Sequence, residues 1–357
     1  MKKWMAFFLA MVMALSLWAC GKDDTKNPTD GPTKAPTTPT TSTTGENNNA
    51  DPETGNFSLL TDMFIRYADG EDSEIIKLEM TYDDDFDIVG YKVFMEGKLY
   101  SEVTCDKKTC KPLSQRDYSE GGTIDCTYDY TYDENGKELE AVSTDGEGTV
   151  LYSRSNTYTP EGWLESSVSS FADENGGYIT YERYTYDEQG NALSYISGSG
   201  DEIWANTTYE NIYENGKLVE VKTYKEGVLH WSEQYDADGN LVTELSYSFE
   251  GEVFSREDWT YENGKLMRRV ITDGDTESFR EVYTYNAAGQ LVELRAFDEG
   301  EYHGGEVYTY ENGDLVNLKL YDHETLEGEY TLNYRKVTVS EEQAQKLAAL
   351  YATMMED

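Results

Sequence analysis

The residue types able to do chemistry are scattered through this chain and nowhere form a signature. The chain has three histidines, His230, His303 and His323, all far apart in sequence. A catalytic imidazole would therefore need a partner placed only by the fold. No phosphate-cradling Gly-x-x-x-x-Gly-Lys loop, no His-Glu-x-x-His pair and no Gly-x-Ser-x-Gly elbow occurs. The stretch Asp236-x-Asp238-Gly239-Asn240 has the look of the start of a calcium loop. Its twelfth position falls on Tyr247, where no carboxylate stands, so a plain turn accounts for these residues. Beyond Cys20, the cysteines are Cys105, Cys110 and Cys126. They are an odd number with no histidine close by, which argues against a zinc site; a Cys105–Cys110 disulfide closing a hairpin loop is allowed, and so are Cys105–Cys126 and Cys110–Cys126. The reading is non-catalytic, with no cofactor and no metal.

Charge narrows the partners. With 29 basic against 70 acidic residues and a net charge of −41, nucleic acid is excluded as a partner and anionic lipid is repelled. The carboxylates are spread along the chain instead of gathered in one tail, as on a solvated surface.

The element that must position everything else is a repeat. A tyrosine followed by a turn glycine recurs as Tyr132/Gly136, Tyr158/Gly162, Tyr186/Gly190, Tyr213/Gly216, Tyr235/Gly239, Tyr261/Gly264, Tyr285/Gly289 and Tyr310/Gly313, and a last Tyr334 lacks the turn. A spacing of roughly 25 residues means stacked copies of one supersecondary unit. Asn263-Gly264 suits a two-residue type I′ turn with both φ angles positive, whereas Asp236–Gly239 suits a longer turn closed by a left-handed glycine. Both forms set the tyrosine opposite a leucine, Tyr261 against Leu266 and Tyr235 against Leu241. A simple alternating register carried outward from Gly289 pairs Tyr283 with Glu293 and Val282 with Leu294; from Gly313 it pairs Glu306 with Lys319 and Val307 with Leu318. Glu226-Gly227, Glu250-Gly251, Asp273-Gly274 and Glu299-Gly300 supply the return turns. The expected fold is all-β: an antiparallel meander of repeated hairpins, coiled or wrapped, its aliphatic face inside and its tyrosine-and-charge face outside, with a C-terminal capping helix.

The stretches Tyr130-Thr-Tyr-Asp-Glu-Asn-Gly136, Tyr184-Thr-Tyr-Asp-Glu-Gln-Gly190 and Tyr283-Thr-Tyr-Asn-Ala-Ala-Gly289 resemble the YD repeats of the RHS/teneurin family over roughly residues 128 to 335. That resemblance implies a spiralling β-sheet, which in the large members closes into a shell around a toxin. This chain is short and no appended toxin domain is expected after the repeats, so only the repeat geometry is carried over. The Tyr213-Glu-Asn-Gly-Lys-Leu218 stretch is also similar to choline- or glucan-binding wall repeats, although Trp163, Trp204, Trp231 and Trp259 hold no fixed place relative to the turns.

At the N-terminus, Lys2 and Lys3 lead into an apolar run ending at Leu17-Trp18-Ala19-Cys20, which resembles a bacterial lipobox. The resemblance implies a signal peptide over 1–19 and an acylated Cys20. Residues 20–56 contain Thr and Pro but almost no apolar side chains before Phe57, and read as a disordered tether. Residues 57–127 are expected to be degenerate β repeats or a cap, 128–338 the YD-like repeat domain, and 339–357 a helix announced by the capping box Ser340-Glu-Glu-Gln343. The combined expectation is a lipoprotein held outside the cell by its N-terminal lipid, with a binding or scaffold module facing a cell-wall polymer, glycan or surface protein. The alternative is a hydrolase acting on extracellular polysaccharide through surface carboxylates.

Overall fold

The computed structural model describes residues 54–67, 75–172, 176–340, and residues 343, 344 and 347. The expected signal peptide, Cys20 and the expected tether up to residue 53 lie outside the described residues, and residues 54–56, assigned to the tether from the sequence, instead begin the first strand. The chain forms one sheet of 22 strands, numbered β1 (Thr54–Tyr67) to β22 (Thr325–Ser340) in chain order. Each strand pairs antiparallel with the next, and β1 also pairs with β22 from Thr54↔Ser340 to Tyr67↔Gly328. The meander is therefore closed into a barrel, which leaves no sheet edge open to a neighbouring chain.

Closure by an even number of alternating strands puts the turns in two rings. One end carries every tyrosine turn, together with Thr54 and Ser340; the other carries the return turns. Both turn chemistries are as expected: Asn263 and Gly264 have φ of 53° and 75°, and Gly239 closes its turn at φ 84°. Asp236 Oδ1 caps that turn by accepting from the Asp238 and Asn240 amides at 2.8 and 2.9 Å, which also accounts for the calcium-like stretch.

The register departs from simple alternation. Tyr285 faces Leu291 and Tyr310 faces Leu315, but a β-bulge follows at once, so Thr284 meets Glu293 and Tyr283 meets Leu294. Glu306 likewise faces Leu320 and Val307 faces Lys319, not the partners that simple alternation assigns. One extra residue per hairpin on the leucine strand causes the shift.

The two faces are also exchanged relative to expectation. The threonines between paired tyrosines, Thr131, Thr185, Thr284 and Thr309, are exposed, as are Val307 and Val168, whereas Tyr184 and Tyr235 are buried. The tyrosine-and-charge face lines the interior. It can do so because the tyrosine hydroxyls and glutamates satisfy one another there, as described below. Among the described residues, the clusters of buried aliphatic side chains lie in the first sector. Ile65, Ile76, Leu78, Val93 and Val103 form one cluster, and Leu59, Ile88, Cys110 and Leu347 a second.

The expected helix falls mostly outside the described residues. Of it, Gln343, Ala344 and Leu347 take helical conformation. The Gln343 amide donates to Ser340 Oγ at 3.2 Å, as a capping box requires, and Gln343 Nε2 reaches Asp87 Oδ1 at 2.9 Å. Cys105 and Cys110 are buried and Cys126 is half-buried, and none of the three is in a disulfide. Burial pushes the Cys105 thiol up to about 12, with Cys110 and Asp106 adding to the effect.

Candidate functional site

Five of the repeat tyrosines do something their own hairpins do not require. The Tyr132 hydroxyl donates to the Pro112 carbonyl at 2.7 Å, Tyr158 to Glu138 at 2.8 Å, Tyr186 to Leu164 at 2.8 Å, Tyr285 to Leu266 at 2.9 Å and Tyr334 to Leu315 at 2.8 Å. Glu138, Leu164, Leu266 and Leu315 are the residues facing the tyrosine of the preceding hairpin, at the register shift where the ladder is interrupted. The bulge presents a carbonyl, and the next tyrosine takes it. The hydroxyl is thus a staple between repeats, which is why Tyr334 persists without a turn of its own.

The residue after each turn reinforces the same link where its side chain is long enough. Lys111 Nζ donates to the Gly136 carbonyl at 2.6 Å, Lys137 and Lys265 reach the Gly162 and Gly289 carbonyls, and Gln290 Nε2 donates to the Gly313 carbonyl at 2.9 Å. On the way, Lys137 and Lys265 lie over the Tyr158 and Tyr285 rings at 5.3 and 4.8 Å.

Not every turn glycine joins this ring, and Gly216 is the clearest departure from a uniform repeat. It is exposed, and a Cβ built on it would meet no described atom within 4 Å. The corresponding position in the preceding hairpin holds Asn191, whose Nδ2 stops at the Tyr213 hydroxyl, 2.5 Å away. That hydroxyl in turn donates to the Asp187 carboxylate instead of a bulge carbonyl. Gly216 therefore only reverses its own hairpin, with φ 77° beside Asn215 at 53°. Gly264 is similarly open, and the side chain before it, Asn240, turns back to Asp236 at 2.9 Å. The tyrosines and glycines singled out by the repeat thus serve the turns and, where a long side chain follows, the joints between them.

A further tyrosine set faces glutamates two residues earlier. Tyr184 donates to Glu182 at 3.0 Å and Tyr283 to Glu281 at 2.9 Å, and Tyr308 bonds Glu306 in the same way. The turn tyrosine Tyr235 makes this bond too, to Glu233. The sequence signal is Glu-x-Tyr-Thr-Tyr, present at 182–186, 281–285 and 306–310. Counting tyrosines from the glycine alone passes over it.

These glutamates line the interior, and on three consecutive strands carboxylates stand side by side. Glu233 on β14 (Val228–Tyr235) pairs with Glu244 on β15 (Leu241–Tyr247), which pairs with Glu257 on β16 (Val253–Glu262). Side chains directly opposite in an antiparallel pair have Cβ atoms about 5 Å apart. Glu233 is buried, and Tyr235 beside it is held protonated by burial and by the Glu233 charge. Arg269 on β17 (Lys265–Asp273) bonds Glu257 and lies 3.3 Å from Glu281, so these carboxylates have a counter-charge. Glu244 sits between two like charges. Desolvation, then Glu233 and Glu257, push its carboxyl up to about 7, against a smaller pull from Arg269. A second interior ion pair, Arg154 with Glu138 at 2.6 Å, stands elsewhere in the barrel.

Opposite Thr54 and Ser340, the other rim carries apolar side chains in water. Leu151, Ile179, Ile203, Trp204, Val253 and Phe254 are exposed near the starts of even-numbered strands, and Phe249, in the turn before β16, is 83% exposed. Singly such residues are ordinary; an arc of them along one rim marks a contact surface.

Chemically, the arrangement offers a proton-holding carboxyl between two carboxylates inside the barrel, and an apolar rim outside it. Among the described residues no helix is long and apolar enough to cross a membrane. The His230 ring touches Phe249 and Trp231 edge-on, while His303 and His323 meet 5.2 Å apart.

No family model matches the chain, and no curated protein matches it. Among solved structures it is similar to TcdB2-TccC3-Cdc42, with 13% identity, a TM-score of 0.28, and coverage of 74% of this chain and 18% of that one. It is also similar to the Photorhabdus luminescens Tc holotoxin pore, with 15% identity, a TM-score of 0.32, and coverage of 74% and 15%. This chain thus spans under a fifth of the toxin chains' length. A third similar structure is a porin-like protein from Bacteroides uniformis, with 14% identity, a TM-score of 0.26, and coverage of 77% and 98%.

Proposed function

We propose that this chain is a non-catalytic β-repeat scaffold, tethered to a bacterial envelope through an acylated Cys20, whose far rim binds a cell-wall polymer, glycan or surface protein. The observation that carries it is the polarity of the barrel. Thr54 and Ser340 face each other at the tyrosine-turn end, so a tether joined at residue 54 leaves from there. The exposed arc that includes Trp204, Phe249 and Phe254 stands at the opposite end. Aromatic faces standing clear of the sheet suit stacking on sugar rings or seating in a protein groove.

The test is binding of the purified protein to isolated wall polymer, a glycan array and envelope protein extracts. Trp204→Ala with Phe254→Ala should lower the saturable binding by about tenfold, roughly the 1.4 kcal/mol of one lost aromatic anchor, while leaving the melting temperature unchanged. Undiminished binding by that double variant removes the rim from the account. Mass spectrometry of the N-terminal peptide tests the anchor, and an unacylated Cys20 removes it.

The hydrolase reading keeps one specific support, the Glu233–Glu244–Glu257 row, because a carboxyl whose proton is held up to about 7 beside neighbouring carboxylates is what a general acid needs. Release of reducing sugar from a polysaccharide, abolished by Glu244→Gln, would establish that reading instead.

A further inference from the structure

We propose that His303, Asp322 and His323 form a surface site for a divalent transition metal, with zinc the best match. His303 lies on β20 (Glu301–Glu311) and Asp322 ends β21 (Asp314–Asp322). His323 is the first residue of the following turn and has φ 51°. Its amide donates to the His303 carbonyl at 2.6 Å, so the two backbones are held together just beyond the ladder pair Gly304↔Asp322. The rings meet at 5.2 Å and 65°, and His323 Nδ1 lies 2.8 Å from Asp322 Oδ1. One donor atom from each of the three residues falls within 4.8 Å of the others.

Donors sharing one zinc at about 2.1 Å stand roughly 3–3.5 Å apart. The Asp322–His323 pair is nearly there already, and the remaining closure asks only for rotation of exposed side chains. Two imidazoles and one carboxylate favour zinc, nickel or copper over calcium and magnesium, which take all-oxygen sets. Water would complete the coordination. The net charge of −41 draws cations toward the whole surface, but it does not choose among them. Selectivity is therefore the mark of this site. At the matching turn position in the two preceding hairpin returns stand Glu299 and Gly274, whose amides donate to the Ser278 and Phe254 carbonyls, so the paired imidazoles belong to this turn and not to the repeat.

The test is calorimetric titration of zinc chloride into the purified protein with calcium in large excess, so that scattered carboxylates are already occupied. One zinc per chain is expected. His303→Ala and His323→Ala should each weaken it at least tenfold, and Asp322→Asn several-fold, all with unchanged circular dichroism. Copper used as a paramagnetic probe should broaden the His303 and His323 ring signals and spare His230. Zinc uptake that survives the double histidine variant, or that calcium displaces in proportion to its concentration, would overturn the proposal.

Discussion

Tyr186→Phe is expected to lower the unfolding free energy by about 1 kcal/mol, and Tyr186→Ala by about 3 kcal/mol. The first removes only the hydroxyl that donates to the Leu164 carbonyl at 2.8 Å. A hydrogen bond of that kind is worth about 1 kcal/mol net, and more if the carbonyl finds no other partner. The alanine variant also removes a ring that packs against Trp163 at 5.5 Å and is half-buried, so a cavity is added to the lost bond. The two variants together separate the staple from the packing. Distant staples should add: Tyr132→Phe with Tyr285→Phe should cost the sum of the two single changes within about 0.5 kcal/mol. Chemical denaturation at fixed pH measures all of these. A Tyr186→Phe protein as stable as the parent would mean that the hydroxyl contributes nothing to the stacking of repeats.

Glu244→Gln is expected to stabilise the protein at pH 8 by about 2 kcal/mol and to leave it unchanged at pH 4. The sign follows from where the proton sits. In the folded barrel the Glu244 carboxyl is pushed up to about 7, whereas an unfolded chain holds it at its ordinary value, about 4.3. Below that value both states are protonated and the full contribution is present. As pH rises toward 7 the unfolded state releases its proton first, stability falls, and above 7 the loss is complete. The full shift would correspond to about 3.5 kcal/mol, reduced here because water still reaches the carboxyl. Glutamine keeps the shape and has no proton to lose. With so many other acidic groups present, the quantity to read is the difference between variant and parent across pH 4 to 8. A difference that does not grow with pH would show that Glu244 is not held between its neighbours.

Turns and strands are legible in the sequence because they depend on local chemistry. Glycine at a left-handed position and asparagine before it punctuate the chain whatever the tertiary context, and the Ile75–Tyr82 and Ile88–Met95 strands lie where alternation places them. The same turn signal does not disclose which glycines are gripped from the preceding hairpin: Gly216 and Gly313 both follow an asparagine in the short turn, yet of these two only the Gly313 carbonyl receives a side chain from the hairpin before it, that of Gln290. The bulge after each Tyr–Leu pair is hidden as well, since the count of residues between turns fits either register. Without the bulge the faces come out reversed, and simple alternation puts inside a Val307 that is exposed. Hydrophobicity alone points the same wrong way, because this interior is lined largely by tyrosine, serine, threonine and glutamate that satisfy one another. The candidate carboxylate row needs pairing across three strands, which no spacing within one strand discloses. The same holds for His303 and His323, brought together only by the β20–β21 ladder. The closing pair β1 and β22 joins residues at opposite ends of the sequence, and local signals say nothing of it.

That closure is the claim on which the two rims, the interior and the polarity all depend. Asp62 and Asn333 face each other across β1 and β22, and Asn333 Nδ2 donates to Asp62 Oδ1 at 2.7 Å. Directly opposed residues in an antiparallel pair stand about 4.5–5.5 Å apart at Cα, within reach of a disulfide. A protein carrying Asp62→Cys and Asn333→Cys should form that bond within one chain on mild oxidation. It should then migrate faster on denaturing gels without reductant and yield the joined peptide by mass spectrometry. A folded double variant that stays uncrosslinked, or that links only between molecules, would mean that the sheet is an open spiral and not a closed barrel.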